Sequence, residues 1–277
     1  MDIVHLREWI GRTECGEDEV TRAPAAALAA TLDREDPLPA AGEALPPPWH
    51  WLYFLPLHRQ SELAEDGHAK RGGFLPPVPL PRRMWAGGRL EFFRPLRVGE
   101  RIERTSRIAD VSYKEGRSGP LVFVAVRHEI RDREGMVVAE QQDIVYRGHT
   151  SVSAAPPSAP SGHAWERTIE PGDVLLFRYS ALTFNAHRIH YDRRYATGVE
   201  GYPGLVVHGP LIATLLLDLL RRNAADAVIR KFSFRAVSPL FDTAPFFVCG
   251  RPEGSTIRLW AKNDRGDLAM DAFAECA

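Results

Sequence analysis

The stretch that most restricts the fold of this chain runs from Pro210 to Arg222 and predicts a helix of about 13 residues, roughly 20 Å long. Pro210 suits the first turn of a helix, and the pair Arg221–Arg222 suits its negatively polarised end. A helix that is apolar around its whole circumference must be buried, so we expect a sheet to wrap around it. The residues that make it apolar are Leu211, Ile212, Ala213, Leu215, Leu216, Leu217, Leu219 and Leu220.

Strand patterns occur in both halves of the remaining sequence. Enrichment in valine, isoleucine and phenylalanine, with short turns between the segments, predicts antiparallel strands. The strongest pattern is Leu121–Ile130. The predicted strands are Arg89–Arg94, Ile102–Tyr113, Leu121–Ile130 and Met136–Tyr146 in the first half, and Ile229–Ala236, Pro245–Gly250, Thr256–Lys262 and Leu268–Glu275 in the second.

A weak internal repeat relates the two halves. The segment Phe92–Leu96 resembles Phe234–Leu240, and each is followed by a turn and further strands. Two halves in which short helices precede about four antiparallel strands indicate duplication of one α+β unit. The sequence therefore predicts an α+β fold made of two similar units.

The boundary between these units is predicted at residues 149–164, where small polar residues and prolines cannot form a core. One unit then comprises residues 1–148 and the other residues 165–277. Within the first unit, residues 4–33 have the pattern of helical pieces. Residues 57–83 have the pattern of a long loop, rich in glycine and proline towards its end, of the kind that is usually functional.

Two further segments carry local predictions. Val174–Ala181 is either a strand or the start of a helix. Arg82 and Arg83, at the end of the long loop, are able to hold an anionic group, although most such arginines lie on a solvated surface.

Composition excludes several classes of function. Lys and Arg number 35 against 36 Asp and Glu, a net charge of −1, so neither a nucleic-acid nor a membrane partner is predicted. The three irregularly spaced cysteines argue against a disulfide framework or a zinc site. The charged N-terminus has no apolar signal core. We therefore expect a cytoplasmic protein.

The segment from Asn185 to Asp192 has the residue types of a proton-transfer site. His190 is suited to exchange a proton near neutral pH, and the Asn185 amide is suited to hold a water molecule. Two alternatives remain open from the residues alone. His190 is also compatible with a hydrogen-bonded histidine of the core. His187, His190 and Asp192 are compatible with three ligands of a metal ion, although no fourth ligand lies nearby in the sequence.

Gly209 lies at the predicted start of the apolar helix, directly after His208. A residue without a Cβ permits close approach of a substrate carbonyl, and a backbone N–H at a helix N-terminus favours negative charge. Gly209 is therefore a candidate for half of an oxyanion hole.

The segments Arg178–Asp192 and Tyr195–Leu211 resemble the hydratase signature of the MaoC-like family of hot-dog fold enzymes. The first half resembles one branch of that family, which contains type 2 hydroxyacyl-thioester dehydratases and mesaconyl-C4-CoA hydratases. The segments that carry this second likeness are Pro47–Leu55, Gly72–Gly88 and Lys114–Val124.

The resemblance implies a tandem (double) hot-dog fold, each unit a long helix wrapped by an antiparallel sheet. It implies that His190 is the active-site histidine and that the Gly209 N–H polarises a thioester carbonyl. Asn185 stands where the wider signature has an aspartate, and His187 where it has an asparagine. Further residues placed at the substrate are Arg82, Arg83, His187, Arg188, Tyr202, Pro203, Gly204, Leu205 and His208.

The resemblance also implies an acyl-CoA or acyl-carrier-protein thioester as substrate, no cofactor beyond the coenzyme A of the substrate, no metal, and a homodimer. The first half has no matching motif, and His50, His58 and His68 do not fit one. That half is therefore expected to be a degenerate unit that makes room for the acyl chain.

The expected reaction is reversible addition of water across the 2,3-double bond of an enoyl thioester. The branch favours a C5 dicarboxylic substrate, mesaconyl-C4-CoA or itaconyl-CoA, giving citramalyl-CoA. A carboxylate in a pocket needs a cationic partner, for which Arg82, Arg83, Arg178 and Arg188 are candidates. The alternatives are a 3-hydroxyacyl-thioester dehydratase of fatty-acid synthesis and, in another class, a thioesterase or a non-catalytic acyl-CoA-binding module.

Overall fold

The computed structural model describes residues 1–116, 119–148 and 155–277. Residues 149–154, the first part of the predicted linker, lie outside the described residues. The described remainder, 155–164, runs along the second half: the Pro157 carbonyl accepts from the Leu268 N–H at 2.8 Å. The domain boundary at 149–164 therefore stays a prediction.

Ten strands form one sheet in which every pair of neighbours is antiparallel. The order across the sheet is β1-β3-β4-β5-β2-β7-β10-β9-β8-β6, so the two halves have the same strand arrangement and meet at β2 and β7. The strands are β1 (Thr13–Glu19), β2 (Arg82–Phe92), β3 (Arg101–Gly116), β4 (Gly119–Asp132), β5 (Gly135–Arg147), β6 (Trp165–Ile169), β7 (Ile229–Ala236), β8 (Phe246–Glu253), β9 (Thr256–Asn263) and β10 (Leu268–Cys276).

The junction of the halves explains two adjacent glycines in β2. A Cβ at Gly87 would stand 2.7 Å from the Phe234 carbonyl oxygen, and one at Gly88 would stand 2.9 Å from the Phe234 ring. Only glycine allows β2 to approach β7 this closely. The internal repeat predicted around Phe92 and Phe234 thus lies where the two halves join.

The described part of the chain has five α-helices besides the sheet: α1 (Ile3–Arg7), α2 (Arg22–Thr31), α3 (Asp173–Leu182), α4 (Arg193–Gly198) and α5 (Gly209–Asn223). Helix α5 is the predicted apolar helix, and every residue from Leu211 to Leu220 is buried. It packs on β6, β8, β9 and β10, as its composition requires. The helix of the first half, α2, has 10 residues against 15 in α5, and it packs on α3.

One charged side chain is buried on the otherwise uncharged stretch of α5 from Leu211 to Leu220. Asp218 is buried, and its carboxylate accepts hydrogen bonds from Arg34 at 2.8 Å, Arg167 at 2.9 Å and Arg222 at 2.7 Å. A buried carboxylate is tolerated when it is paired and hydrogen-bonded in this way. Because Arg34 belongs to the first half, this cluster ties α5 to both halves.

The structure corrects three local predictions. Thr13–Glu19 is an edge strand rather than part of a helical segment; its residues are nearly all exposed, so no apolar alternation marks it. Val174–Ala181 lies in helix α3, so the predicted start of a helix is confirmed and the alternative of a strand is wrong. Arg82 and Arg83 open strand β2 instead of ending a loop.

Among the helices of the described residues, none is long and apolar enough to cross a membrane.

Candidate active site

A cavity of about 1900 Å³ extends through both halves of the molecule. Asn185, His190 and Gly209 all line it. So do four of the residues predicted at the substrate, namely Arg82, Arg83, His187 and Tyr202. The structure therefore brings the predicted motif together on one cavity wall, although 24 positions along the sequence separate Asn185 from Gly209.

The segment before His190 is shaped by the end of α3. Thr183 caps that helix with its hydroxyl on the Tyr179 carbonyl at 2.8 Å, and Phe184 has a φ of 49°. The chain then turns into a short 3-10 helix, Arg188–His190. Asp192 ends this segment by capping α4 through the Tyr195 N–H at 3.1 Å, so its carboxylate is not directed to His187 and His190 as a shared metal site would require.

His190 is buried and held in one tautomer. Its Nδ1 lies 2.7 Å from the Val206 carbonyl oxygen. A carbonyl only accepts, so Nδ1 carries the hydrogen and Nε2 is left as the basic atom of the neutral ring. Burial lowers the pKa of His190 to about 4, although the Val206 hydrogen bond opposes this shift. The ring is therefore neutral and competent to accept a proton at neutral pH.

His208 sits behind this ring instead of in the cavity. The two imidazoles stack with centroids 3.7 Å apart and planes 17° apart. His208 Nε2 lies 2.8 Å from the Ser180 hydroxyl, and burial lowers the pKa of His208 well below its usual value. A neutral, buried ring fixed to α3 supports His190 from one side and restricts its rotation.

Gly209 is the first residue of α5, as the sequence predicts. Its N–H has no acceptor among the described residues, because an N–H in the first turn has no intrahelical partner. A Cβ at this position would lie 3.6 Å from the Trp85 carbonyl oxygen. The N-terminus of a helix of 15 residues thus presents an open donor to the cavity.

The Asn185 amide is partly used within its own loop. Its Oδ1 accepts the His187 N–H at 3.0 Å. The side chain therefore offers mainly its NH₂ group to a molecule in the cavity. This differs from an amide that donates and accepts equally, and it makes Asn185 a donor to a water oxygen or a substrate oxygen.

A turn from the first half completes this wall, although its His68 does not fit the hydratase motif. His68 lies against His187, with ring centroids 4.0 Å apart, and its Nδ1 is 3.0 Å from Asp66 Oδ2. The backbone docks as well, since the Arg188 N–H donates to the Asp66 carbonyl at 2.9 Å. No spacing rule connects residues 66 and 187; the one local signal was a charged Asp-Gly-His turn inside a long loop.

Asp66, His68 and His187 are also the described residues near the site with the donor atoms of a metal centre. Their ligand atoms lie within 4.8 Å of one another. The 3.0 Å hydrogen bond between Asp66 and His68 uses one donor atom of each, and the His68 and His187 rings contact each other at a tilt of 40°, so these side chains are described here by their direct contacts.

The candidate arginines differ in their partners. Arg82 is paired with Glu200 at 3.1 Å and lies over the Tyr202 ring at 5.1 Å. Arg188 is paired with Asp192 at 2.7 Å, and Arg178 is exposed outside the cavity. Arg83 alone among the four lines the cavity without an ion-pair or hydrogen-bond partner among the described residues.

The remaining residues predicted at the substrate do not line the cavity. Pro203, Gly204 and Leu205 form a turn held by Asp242, which accepts the Leu205 N–H at 2.8 Å. A Cβ at Gly204 would stand 2.3 Å from the Asp242 carboxylate. These residues, with Arg188 and His208, therefore act in this structure as supports of the loops that carry the cavity residues.

The wall of the cavity in the first half carries further ionisable side chains. Arg104 lines it with a buried Nε that lacks a hydrogen-bond partner in the described structure, and the Arg104 guanidinium lies 4.9 Å from the Phe54 ring centroid. His128 and Glu140 line the same region, and Glu140 is held by His50 at 3.1 Å. None of these residues stands in a motif, and only tertiary structure brings them to the cavity.

A family model described as hydroxyacyl-thioester dehydratase type 2 matches residues 48–242, more than half of the chain. The chain belongs to this family. The mesaconyl-C4-CoA hydratase of Chloroflexus aurantiacus is 52% identical over 270 residues, which cover 96% of this chain and 96% of that protein. The mitochondrial type 2 hydroxyacyl-thioester dehydratase of Schizosaccharomyces pombe is 30% identical over 285 residues, covering 91% and 93%.

Solved structures place this member of the family in the double hot-dog fold. A MaoC-like dehydratase from Phytophthora capsici superposes with a TM-score of 0.75 over 100% of this chain and 98% of that chain, at 14% identity. A Mycobacterium tuberculosis protein with a double hot-dog fold superposes with a TM-score of 0.59 over 96% of each chain, at 13% identity. The predicted fold and the predicted family are therefore confirmed.

Proposed function

We propose that this protein is a hydro-lyase that adds water reversibly across the 2,3-double bond of a C5 dicarboxylic enoyl-CoA, mesaconyl-C4-CoA, to give citramalyl-CoA. The relative named mesaconyl-C4-CoA hydratase matches nearly the whole chain at 52% identity, whereas the fungal dehydratase is more distant. The observation that carries the substrate class is Arg83, which lines the cavity that holds His190 and whose side chain has no ion-pair or hydrogen-bond partner among the described residues.

Arg83 is the proposed partner of the free carboxylate of the substrate. Burial is the main cause that lowers the pKa values of His68 and His187, and the positive charge of Arg83 lowers both further. Arg83 therefore lies near these two rings. The His187 ring is in turn 5.4 Å from the His190 ring. In mesaconyl-C4-CoA the carboxylate is attached to the carbon that receives water, so its cation is needed within a few ångströms of the catalytic base.

The chemistry follows from three groups. The thioester oxygen accepts the Gly209 N–H, which stabilises the enolate-like state; one such donor contributes about 10²–10³-fold to the rate. His190 Nε2 takes a proton from water, and the Asn185 NH₂ holds the water oxygen. General acid–base catalysis of this kind contributes about 10²–10⁴-fold.

The alternative substrate is a longer 3-hydroxyacyl thioester, as the name of the fungal relative indicates. The buried charge of Arg104 in the cavity disfavours it. An alkyl chain placed against Arg104 would supply no acceptor for its buried Nε, which has no hydrogen-bond partner among the described residues. A thioesterase is disfavoured by chemistry, because Asn185 supplies no carboxylate to attack the thioester carbon.

Three further proposals accompany the reaction. Proton transfer and carbonyl polarisation require no redox cofactor, so we propose that coenzyme A enters only as part of the substrate. We also propose a cytoplasmic location and a homodimer, to be measured by fractionation and by light scattering.

The test is turnover of the purified protein on mesaconyl-C4-CoA, itaconyl-CoA, crotonyl-CoA and a C8–C10 trans-2-enoyl-CoA, followed by enoyl absorbance and product mass. We expect selective hydration of the C5 dicarboxylic substrates, with no measurable turnover by a folded His190→Ala variant. Preference for longer chains would mean that the protein catalyses the fatty-acyl reaction. Release of free CoA would indicate a thioesterase, and affinity without turnover would indicate a binding module. Near-normal activity of His190→Ala would overturn the role of His190.

A further inference from the structure

The turn from Leu63 to Ala69 brings a second acid–base pair to the cavity. The turn is closed by a β-bridge between these two residues and by the Ala64 N–H on the His68 carbonyl at 2.7 Å. It is held to the second half by two bonds from Arg188, whose N–H donates to the Asp66 carbonyl at 2.9 Å and whose guanidinium donates to the Glu65 carbonyl at 3.2 Å. Its position is therefore determined by the catalytic loop on which it rests.

Asp66 and His68 are arranged as a carboxylate–imidazole dyad. Because the carboxylate accepts, His68 Nδ1 carries the hydrogen over the 3.0 Å bond, and Nε2 is the atom left for a partner in the cavity. The His68 ring lies 4.0 Å from His187, which is 5.4 Å from His190. All four side chains line the same cavity.

We propose that His68, held by Asp66, is a second catalytic residue, which exchanges the proton at Cα of the acyl group while His190 exchanges the proton at the water oxygen. This inference rests on the proposed hydratase function and deepens it. It assigns a reacting role to the half of the chain that carries no hydratase motif.

In the hydration direction, one bond forms between the water oxygen and Cβ and one between a hydrogen and Cα. His190 Nε2 takes one proton from water as the water oxygen bonds to Cβ. The π electrons move into the thioester enolate held by the Gly209 N–H, and Cα then takes a proton from Nε2 of the His68 imidazolium. Water in the cavity returns the proton from His190 to His68, so one water is added and no other reactant is consumed.

Without substrate, the surroundings of the dyad favour neutral His68 over its imidazolium. Burial opposes ionisation of Asp66, yet the hydrogen bond and the charge of His68 hold the pKa of Asp66 well below its usual value. Burial lowers the pKa of His68, and the charges of Arg83 and Arg71 lower this pKa further. The hydrogen bond to Asp66 opposes the shift. A substrate carboxylate on Arg83 would neutralise one of these cations and favour the imidazolium when substrate is bound.

The experiment compares wild type with His68→Gln and Asp66→Asn in steady-state hydration of mesaconyl-C4-CoA, with the exposed His5→Gln as the matched control. For His68→Gln we expect kcat to fall about 10²–10⁴-fold with little change in KM. The wild-type kcat should decrease as the pH rises, because the acid form of His68 is required. In Asp66→Asn that decrease should move to lower pH, since an amide no longer stabilises the imidazolium.

Several results would overturn the inference while leaving the hydratase function in place. One is a wild type that hydrates the C5 substrate, with a His68→Gln variant within threefold of its kcat. Another is a decrease of kcat at high pH that occurs at the same pH in Asp66→Asn as in wild type. A merely structural role of Asp66 would lower kcat without moving the pH at which it decreases. A third is about one zinc ion per chain by elemental analysis, lost in His68→Gln. If wild type hydrates no member of the panel, the proposed function itself fails and the inference fails with it.

Discussion

Gly67 is packed so closely on Ala186 that a Cβ at position 67 would stand 1.8 Å from the Ala186 carbonyl oxygen. Gly67 also has a φ of 89°, a conformation that side chains with a Cβ rarely adopt. The tip of a turn from the first half thus lies directly on the loop of the second half that carries His187 and His190. The candidate site depends on this backbone contact as much as on its own motif.

Gly67→Ala should disrupt the site without unfolding the protein. The methyl group forces the turn away from Ala186, and the unfavourable φ costs about 1–3 kcal/mol locally. We expect kcat/KM to fall at least about tenfold, because His68 and the Arg188 backbone lose their positions. Steady-state kinetics and thermal unfolding measure the two effects.

The matched control is Gly73→Ala, on the same loop, where an added Cβ meets nothing within 4 Å. It should retain the wild-type rate within about twofold, as expected for an exposed surface substitution. Equal activity of the two variants would contradict the importance of the Gly67 contact.

Gly209→Pro should remove the single N–H proposed to hold the thioester oxygen. The backbone accepts this change, because proline suits the first residue of a helix and the preceding His208, with φ −62° and ψ 131°, already has the extended conformation that precedes proline. We expect kcat to fall about 10²–10³-fold relative to Gly209→Ala, which retains the N–H. Similar kcat values for both variants would argue against an oxyanion donor at this position.

Arg83→Gln should change specificity more than general activity. The loss of a charge-assisted hydrogen bond of about 1.5–3 kcal/mol predicts a decrease of roughly 10–100-fold in kcat/KM for mesaconyl-C4-CoA. Crotonyl-CoA has no carboxylate, so its kcat/KM should change little. The exposed Arg178→Gln is the control with an equal change in charge. An equal decrease in kcat/KM for both substrates would mean that Arg83 supports the structure of the site without binding the carboxylate.

The buried imidazoles should make folding stability depend on pH. Burial lowers the pKa of His190 to about 4 and also lowers those of His187 and His208, whereas an unfolded histidine titrates near 6.5. Between these values the unfolded chain binds more protons, so the free energy of unfolding is complete above about pH 6.5 and decreases towards pH 4. His190 alone predicts a loss of about 2 kcal/mol at pH 5.

Urea unfolding at about pH 7, 6 and 5 measures this dependence. The His190→Gln variant, which lacks one of the titrating rings, should show a shallower slope. A free energy of unfolding that is constant or greater at pH 5 would contradict neutral burial of these histidines.

Local pattern predicted the elements that bury apolar surface. The apolar run after Gly209 had to form a buried helix, and the alternating or continuous apolar runs had to form strands, because no other arrangement removes these side chains from water. Thr13–Glu19 was not predicted as a strand, because an exposed edge strand has no apolar face and so no alternating apolar pattern. Val174–Ala181 stayed ambiguous because helix α3 buries only part of its surface.

The sequence by itself determined the α5 helix, the antiparallel strands, the duplicated order and the residue types Asn185, His190 and Gly209, since each depends on composition and spacing within a short segment. Only the tertiary structure decided which candidate arginine lines the cavity without a side-chain partner in the described parts of the chain, that His208 lies behind His190, and that Asp66 and His68 reach the site. These outcomes depend on contacts between residues that are distant in sequence, such as Gly67 on Ala186. Local propensity carries no information about contacts of that kind, because they form only when the second half folds and when the two halves join at β2 and β7.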